Sequence, residues 1–233
     1  MRAPIPLVAA ILLFGAAPAD AACSDSPHAG VDWSRCQKIG VKLQDRDLRN
    51  AKLVGAHLTN GDLSETDLSG ADLTGAIMVR TWLVDALLVK ANLTKVLLTR
   101  ANLTGADLTQ VVLEKAELHR ANLTEATLVH GRLEKAEFGR AVLKGADFAG
   151  ATLAGGDLSR ADVRGASFDG TDVTNVDFYR ADLRGADLGE AKGLTQDQLE
   201  DSCGDESTVL PDGMVAPSTW PCATREDGDQ EDD

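Results

Sequence analysis

Aromatic residues are scarce in this chain of 233: three Trp, one Tyr and five Phe. The core must therefore be built mostly from aliphatic side chains. The four histidines, His28, His57, His119 and His130, are scattered, and the four cysteines form no C-x-x-C pair. That excludes the common zinc spacings, and no metal or cofactor site is expected. There is no glycine-rich phosphate loop, no G-x-S-x-G and no H-E-x-x-H, so the corresponding nucleotide, hydrolase and metalloprotease chemistries have no foothold. No apolar run is long enough to cross a bilayer as a stable anchor.

What the chain does have is a period. Leucine or an apolar substitute recurs at every fifth position from Leu43 to Leu188 without a break in register. The substitutes are Met78, Phe138, Phe148, Phe168, Phe178, Val163 and Val173. Two positions before most centres stands a small side chain, as at Ala51, Ala71, Ala91, Ala101, Ala121, Ala161 and Ala181. Five fits neither the helical period nor that of a flat strand, so the chain reads as a repeat architecture.

A chain that turns inward at every block of five closes after four blocks. A second period supports that count: Arg80, Arg100, Arg120, Arg140, Arg160 and Arg180 recur at every fourth block, as do Lys95, Lys115 and Lys135. Successive coils should lie about 4.8 Å apart, like neighbouring strands. Phe148 should then stack on Phe168.

Blocks such as AN-L-TG, AD-L-SR and AD-L-RG resemble the A(D/N)LXX consensus of pentapeptide-repeat proteins. The resemblance implies an all-β fold, a right-handed quadrilateral β-helix, here over residues 41–190; the cysteines at both ends are expected to close its end caps with disulfides. It says little about function, because sites rather than folds carry function.

Residues 1–22 read as a secretory signal: Arg2, an apolar stretch from Ile5 to Phe14, and Ala19-Asp20-Ala21 as a cleavage site. An exported chain, periplasmic or secreted, agrees with cysteines that can pair. Cys23 and Cys36 precede the repeats, and Cys203 and Cys222 follow them. A disulfide needs Cα atoms within about 7 Å, so each pair should close locally. Residues 23–40 are expected to cap the first coil through Val31, Trp33 and Ile39. Residues 191–222 should cap the last, with a short helix started by the capping box at Thr195 and Gln198. Residues 223–233 read as a disordered acidic tail.

The net charge of −14 is unevenly placed. Residues 41–190 carry 18 basic and 22 acidic side chains, whereas residues 191–233 carry two and 12. The rod is nearly balanced and the acidity is terminal.

Two surface features stand out. Six arginines in one column would repel unless paired, and Glu117, Glu137, Asp157 and Asp177 stand three positions before Arg120, Arg140, Arg160 and Arg180 as counter-charges. Before Arg80 and Arg100 the same position holds Ile77 and Leu97. That stretch also carries Val79, Trp82, Val84, Leu87 and Val89 at positions that face solvent in this architecture. Together they make a candidate partner surface, with Trp82 as anchor and Arg80 and Arg100 at its rim. A convex rod encloses no acid–base pair, so catalysis is not expected.

The function expected is an exported, non-enzymatic scaffold. It would bind an unidentified protein or envelope component, or a second copy of the chain, through one face. The alternative comes from the resemblance: some members of the family imitate the shape and charge of DNA, bind DNA gyrase and confer quinolone resistance. An export signal and a rod of net charge −4 (residues 41–190) argue against that role here. Binding of nucleic acid by this chain is not expected.

Overall fold

The computed structural model describes residues 22–221. The expected signal segment up to residue 21, Cys222 and the acidic tail lie outside the described residues.

Each block ends in a tight turn. The carbonyl of the central Leu accepts from the N–H three positions on, as in Ala51 N to Leu48 O at 3.0 Å and Ala71 N to Leu68 O at 2.9 Å. The residue that closes each block takes positive φ, +56° at Arg80 and +63° at Gly75. Positive φ at this third turn position is the type II pattern, and it swings the chain around a corner. Glycine fits that corner freely, yet most corners here are held by longer side chains.

Four corners complete a coil, and parallel bridges join each bridging residue to its counterpart one coil on. They form four ladders in chain order around the rod. The first runs from Asp32 through Lys52 to Lys192, and the second from Gln37 through Ile77 to Asp177. The third runs from Lys42 through Trp82 and Asn102 to Asp182, and the fourth from Asp47 through Leu87 to Asp187. Each block bonds to the coil on either side of it: Lys52 N donates to Val31 O at 2.8 Å, while Leu53 N donates to Asp72 O at 2.7 Å. Each face contributes one bridge residue per coil, so the described residues contain isolated bridges rather than extended strands. The expected β-helix is thus a stack of corners linked by single-residue ladders. A side only one block long leaves no room for a longer strand.

One backbone N–H per block, that of the fourth residue, has no place in the ladders. The second residue supplies its acceptor: Asp107 Oδ1 takes Thr109 N at 2.9 Å, and Asn122 Oδ1 takes Thr124 N at 3.0 Å. Where Asp or Asn stands ahead of a Leu centre, this side-chain turn is the physical reason.

The Leu and Ala columns fill the interior and are buried from Leu48 to Leu188. Threonine replaces Ala at three inward positions and hides its hydroxyl in a hydrogen bond: Thr66 to Leu43 O at 2.6 Å, Thr81 to Leu58 O at 3.0 Å and Thr171 to Phe148 O at 2.7 Å. An inward Thr without such an acceptor would leave a buried polar group unpaired.

The ladders run past both expected ends. Bridging begins at Asp32, so residues 31–40 belong to the first coil rather than to a separate cap. Trp33 and Cys36 occupy the Leu and Ala columns and are buried. Ile39 does not cover the coil: it is 57% exposed, because its place in the block is the outward fourth position. The covering is done by Lys38, whose ammonium lies 4.0 Å over the Trp33 ring and donates to Cys23 O at 2.6 Å. The Cys23–Cys36 disulfide, with Cα atoms 5.5 Å apart, ties the leading segment to this coil.

At the other end, α1 (Gln196–Glu200) is an insertion, after which the chain rejoins the ladders at Cys203 and Val209. Its capping box forms as the sequence signals, and Gln198 also donates to Val173 O at 3.0 Å and Val176 O at 2.8 Å. Leu199 is fully buried, and Trp220 Nε1 donates to Ser202 O at 3.1 Å. Cys203 is disulfide-bonded, and Cys222, its expected partner, lies outside the described residues.

Candidate partner-binding surface

The arginine column falls on one corner, between the second and third ladders. All six arginines hold the positive-φ turn position, with φ between +55° and +61°. The four-block stride stacks them one coil apart, about 4.8 Å per step.

The expected pairing with Glu137, Asp157 and Asp177 does not form. Among the described residues no ion pair joins them to Arg140, Arg160 or Arg180. The acids serve their own turns instead: Asp157 Oδ1 accepts Ser159 N at 2.7 Å and Asp177 Oδ1 accepts Tyr179 N at 2.8 Å. Glu137 meets His119 Nε2 at 2.8 Å, and Arg180 lies 5.3 Å from the Tyr179 ring centroid. The column is therefore not a simple ion-pair ladder.

Real ion pairs gather elsewhere. Near the C-terminal end of the third ladder, Arg164 grips Asp162 at 2.8 and 2.6 Å, and Arg184 grips Asp182 at 2.8 and 2.5 Å. Burial pushes the Asp162 carboxyl up, but hydrogen bonds from the Arg164 side chain and backbone outweigh it and hold it below its usual range. At the exposed opposite end, the Arg49 side chain and backbone N–H hold Asp47 at about 2.

Around Arg80 and Arg100 the surface dips. A groove of about 520 Å³ is lined by Asn60, Arg80, Trp82, Arg100, Asn102, Arg120 and Asn122. Trp82 heads its third-ladder part and is 54% exposed. A second depression, about 470 Å³, follows the column downward past Arg140 and Arg160, but Asp157 and Asp177 also line it.

The sequence-predicted patch is only partly one surface. Arg80, Trp82 and Arg100 line the same groove. Ile77 and Leu97 are bridged on the second ladder, and Val79 stands at the same corner. Val84 lies past the third ladder, while Leu87 is on the fourth, and Val89 follows it. The fourth ladder is opposite the second, so Leu87 and Val89 cannot join Ile77 in one contact. A chain that turns at every block cannot keep four successive blocks on one side. The same stride points to what the sequence reading missed: Asn102 and Asn122 stand one and two coils beyond Trp82, and Asn60 stands one coil before Arg80.

Among the described residues, no three His, Cys, Asp or Glu side chains gather into a group able to hold a metal ion. No helix there is long and apolar enough to cross a membrane.

A family model for pentapeptide repeats matches eight copies across residues 42–192. The chain belongs to the pentapeptide-repeat family. Proteins of this family form right-handed quadrilateral β-helices and are generally non-catalytic scaffolds. Among solved structures, the chain is similar to HetL of the cyanobacterium Nostoc, a pentapeptide-repeat protein involved in regulating heterocyst differentiation. They share 30% identity over 76% of this chain and 86% of that one, with a TM-score of 0.45. It is also similar to QnrB1, a plasmid-mediated fluoroquinolone-resistance protein, at 17% identity over 77% and 91% of the chains and a TM-score of 0.33. A pentapeptide-repeat protein of the Arabidopsis thaliana thylakoid lumen shares 28% identity over 47% and 66%, with a TM-score of 0.28. No curated protein sequence matches significantly.

Proposed function

We propose that this pentapeptide-repeat protein is an exported, non-enzymatic scaffold that holds a partner against the corner between its second and third ladders. The observation that carries this reading is the groove itself. It places an exposed indole, Trp82, among three stacked arginines on a rigid surface. Large aromatic and guanidinium side chains are the residue types that dominate binding energy at protein surfaces. Export is supported by the Cys23–Cys36 disulfide, since such bonds persist in oxidising compartments.

The gyrase-binding alternative fits less well. A DNA-like surface needs continuous negative charge, and six arginines interrupt it along one corner from Arg80 to Arg180. Two assays on the mature protein separate the readings. A pull-down from periplasmic extract should recover a partner, and Trp82→Ala should lose it. A gyrase supercoiling assay should show no inhibition; inhibition with no periplasmic partner would reverse the assignment.

A further inference from the structure

Apart from Asn60, whose amide carries both an acceptor and donors, the exposed polar side chains of the groove offer mainly donors. Asn102 Oδ1 is occupied by Thr104 N at 3.1 Å and Thr104 Oγ1 at 2.7 Å. Asn122 Oδ1 is likewise occupied by Thr124 N at 3.0 Å and Thr124 Oγ1 at 2.7 Å. What each amide still offers is its NH2. Arginine side chains carry only donors. A ligand seated here must therefore supply acceptors, and the guanidinium fork suits a carboxylate above all.

Its shape requirements are equally restrictive. Backbone edges are closed at this face: Trp82 N donates to Gly61 O at 2.9 Å, Leu83 N to Asn102 O at 2.7 Å and Asn102 N to Thr81 O at 2.9 Å. A peptide cannot add itself as another strand. The exposed Trp82 lines the groove, and the negative face of an indole attracts the C–H edge of a saturated ring. Donor-rich side chains beside an aromatic ring, with arginines repeated at the coil spacing, match a sugar chain bearing acids. Beside Arg80 and Arg100 the second ladder presents Ile77 and Leu97, where it presents acids beside the lower arginines.

We propose that the groove formed by Arg80, Trp82, Arg100, Asn102, Arg120 and Asn122 binds a linear polysaccharide carrying carboxylates, a polyuronate. The proposal rests on the reading of this corner as the partner surface and specifies its chemistry. Binding through these arginines weakens as salt screens them.

The test is a calorimetric titration of the mature full-length protein with polygalacturonate. Three further arms use its methyl ester (the same rings without charge), poly-glutamate, and the protein in raised salt. Polygalacturonate should bind, and the ester and poly-glutamate should bind at least about tenfold more weakly. Trp82→Ala and the double variant Arg80→Gln/Arg100→Gln should each lose about tenfold in affinity. Lys115→Gln, on the other basic corner, should change nothing. Melting curves establish that each variant is folded, and either Trp82 or arginine variant suffices if the other is not. Absence of polygalacturonate binding, equal binding of poly-glutamate, or indifference to Trp82 would each overturn the proposal. If polygalacturonate fails while Trp82→Ala abolishes capture of a protein partner, the ligand class falls and the partner surface stands. If Trp82 matters to neither, both fall.

Discussion

Phe148 lies flat on Phe168, with ring centroids 5.1 Å apart and planes 7° from parallel. Four blocks separate the two in sequence, so the contact records the length of one coil. Phe138 and Phe178 close the stack edge-on, at 6.3 Å from Phe148 and Phe168 respectively. Phe148→Ala should empty a fully buried site and cost about 3–5 kcal/mol in a denaturant melt. A loss below about 1 kcal/mol would mean that the coils collapse around the gap and that the stack contributes little.

Leu113 tests the inward column by charge rather than volume. It is fully buried, and Leu113→Asp would place an unpaired carboxylate in an aliphatic interior. That costs several kcal/mol, and the variant should fail to fold at neutral pH. A variant that melts like the parent would mean that the column faces solvent.

The corners make opposite predictions for opposite substitutions. Gln110 sits at φ +59°, where a side chain is strained, so Gln110→Gly should stabilise the rod by up to about 1 kcal/mol. Gly75 sits at φ +63°, and a Cβ there would meet nothing within 4 Å. Gly75→Ala should therefore cost about 1 kcal/mol from backbone strain alone. Thermal melts of both variants check the pair; shifts of the same sign would refute corner strain as the cause.

Asp107 holds the N–H of Thr109 at 2.9 Å. Asp107→Asn keeps that acceptor and should be nearly silent, whereas Asp107→Ala should cost about 1 kcal/mol. Equal melting temperatures for Asn and Ala would remove the turn bond from the account of the consensus.

Asp32, Asp47, Asp62, Asp162, Asp172 and Asp205 are held below their usual range and give a pH dependence. Asp47 is held at about 2 by Arg49, and Asp162 is held below its usual range by Arg164. A depressed folded pKa gives stability that is present above the unfolded value, near 3.9, and lost as pH falls through the folded one. Stability should be flat from neutrality to about pH 4 and fall from there toward pH 2. Arg164→Gln should flatten part of that fall; an unchanged acid profile would show that the pair is not coupled to folding.

The sequence makes the fold legible because one physical constraint repeats without interruption. Each Leu and Ala must face inward, and the four-block stride places Phe148 under Phe168. The ends are harder to read, because Trp33 and Lys38 break the Leu column where the ladder still continues. The surface is harder again. Arg80, Trp82 and Arg100 come together because two adjacent faces meet at their corner, whereas Leu87 is close to Trp82 only in sequence. Proximity along the chain misleads on a rod whose stacked neighbours are a whole coil apart in sequence. The arginines near Asp157 and Asp177 show a second limit: three positions apart, opposite charges do not pair here, whereas Asp162 and Arg164, two apart, do.

The central claim is that one corner, not the whole rod, receives the partner. Trp82 and Leu87 test it together, since they are 54% and 42% exposed on different faces of the same coil. Neither truncation should disturb the core, so Trp82→Ala and Leu87→Ala should both melt close to the parent. The measurement is partner capture by each variant on the same immobilised scale. Trp82→Ala should weaken capture by roughly 2 kcal/mol or more, and Leu87→Ala should leave it unchanged. Equal losses for both, or a loss for Leu87→Ala alone, would contradict the assignment of function to the arginine corner.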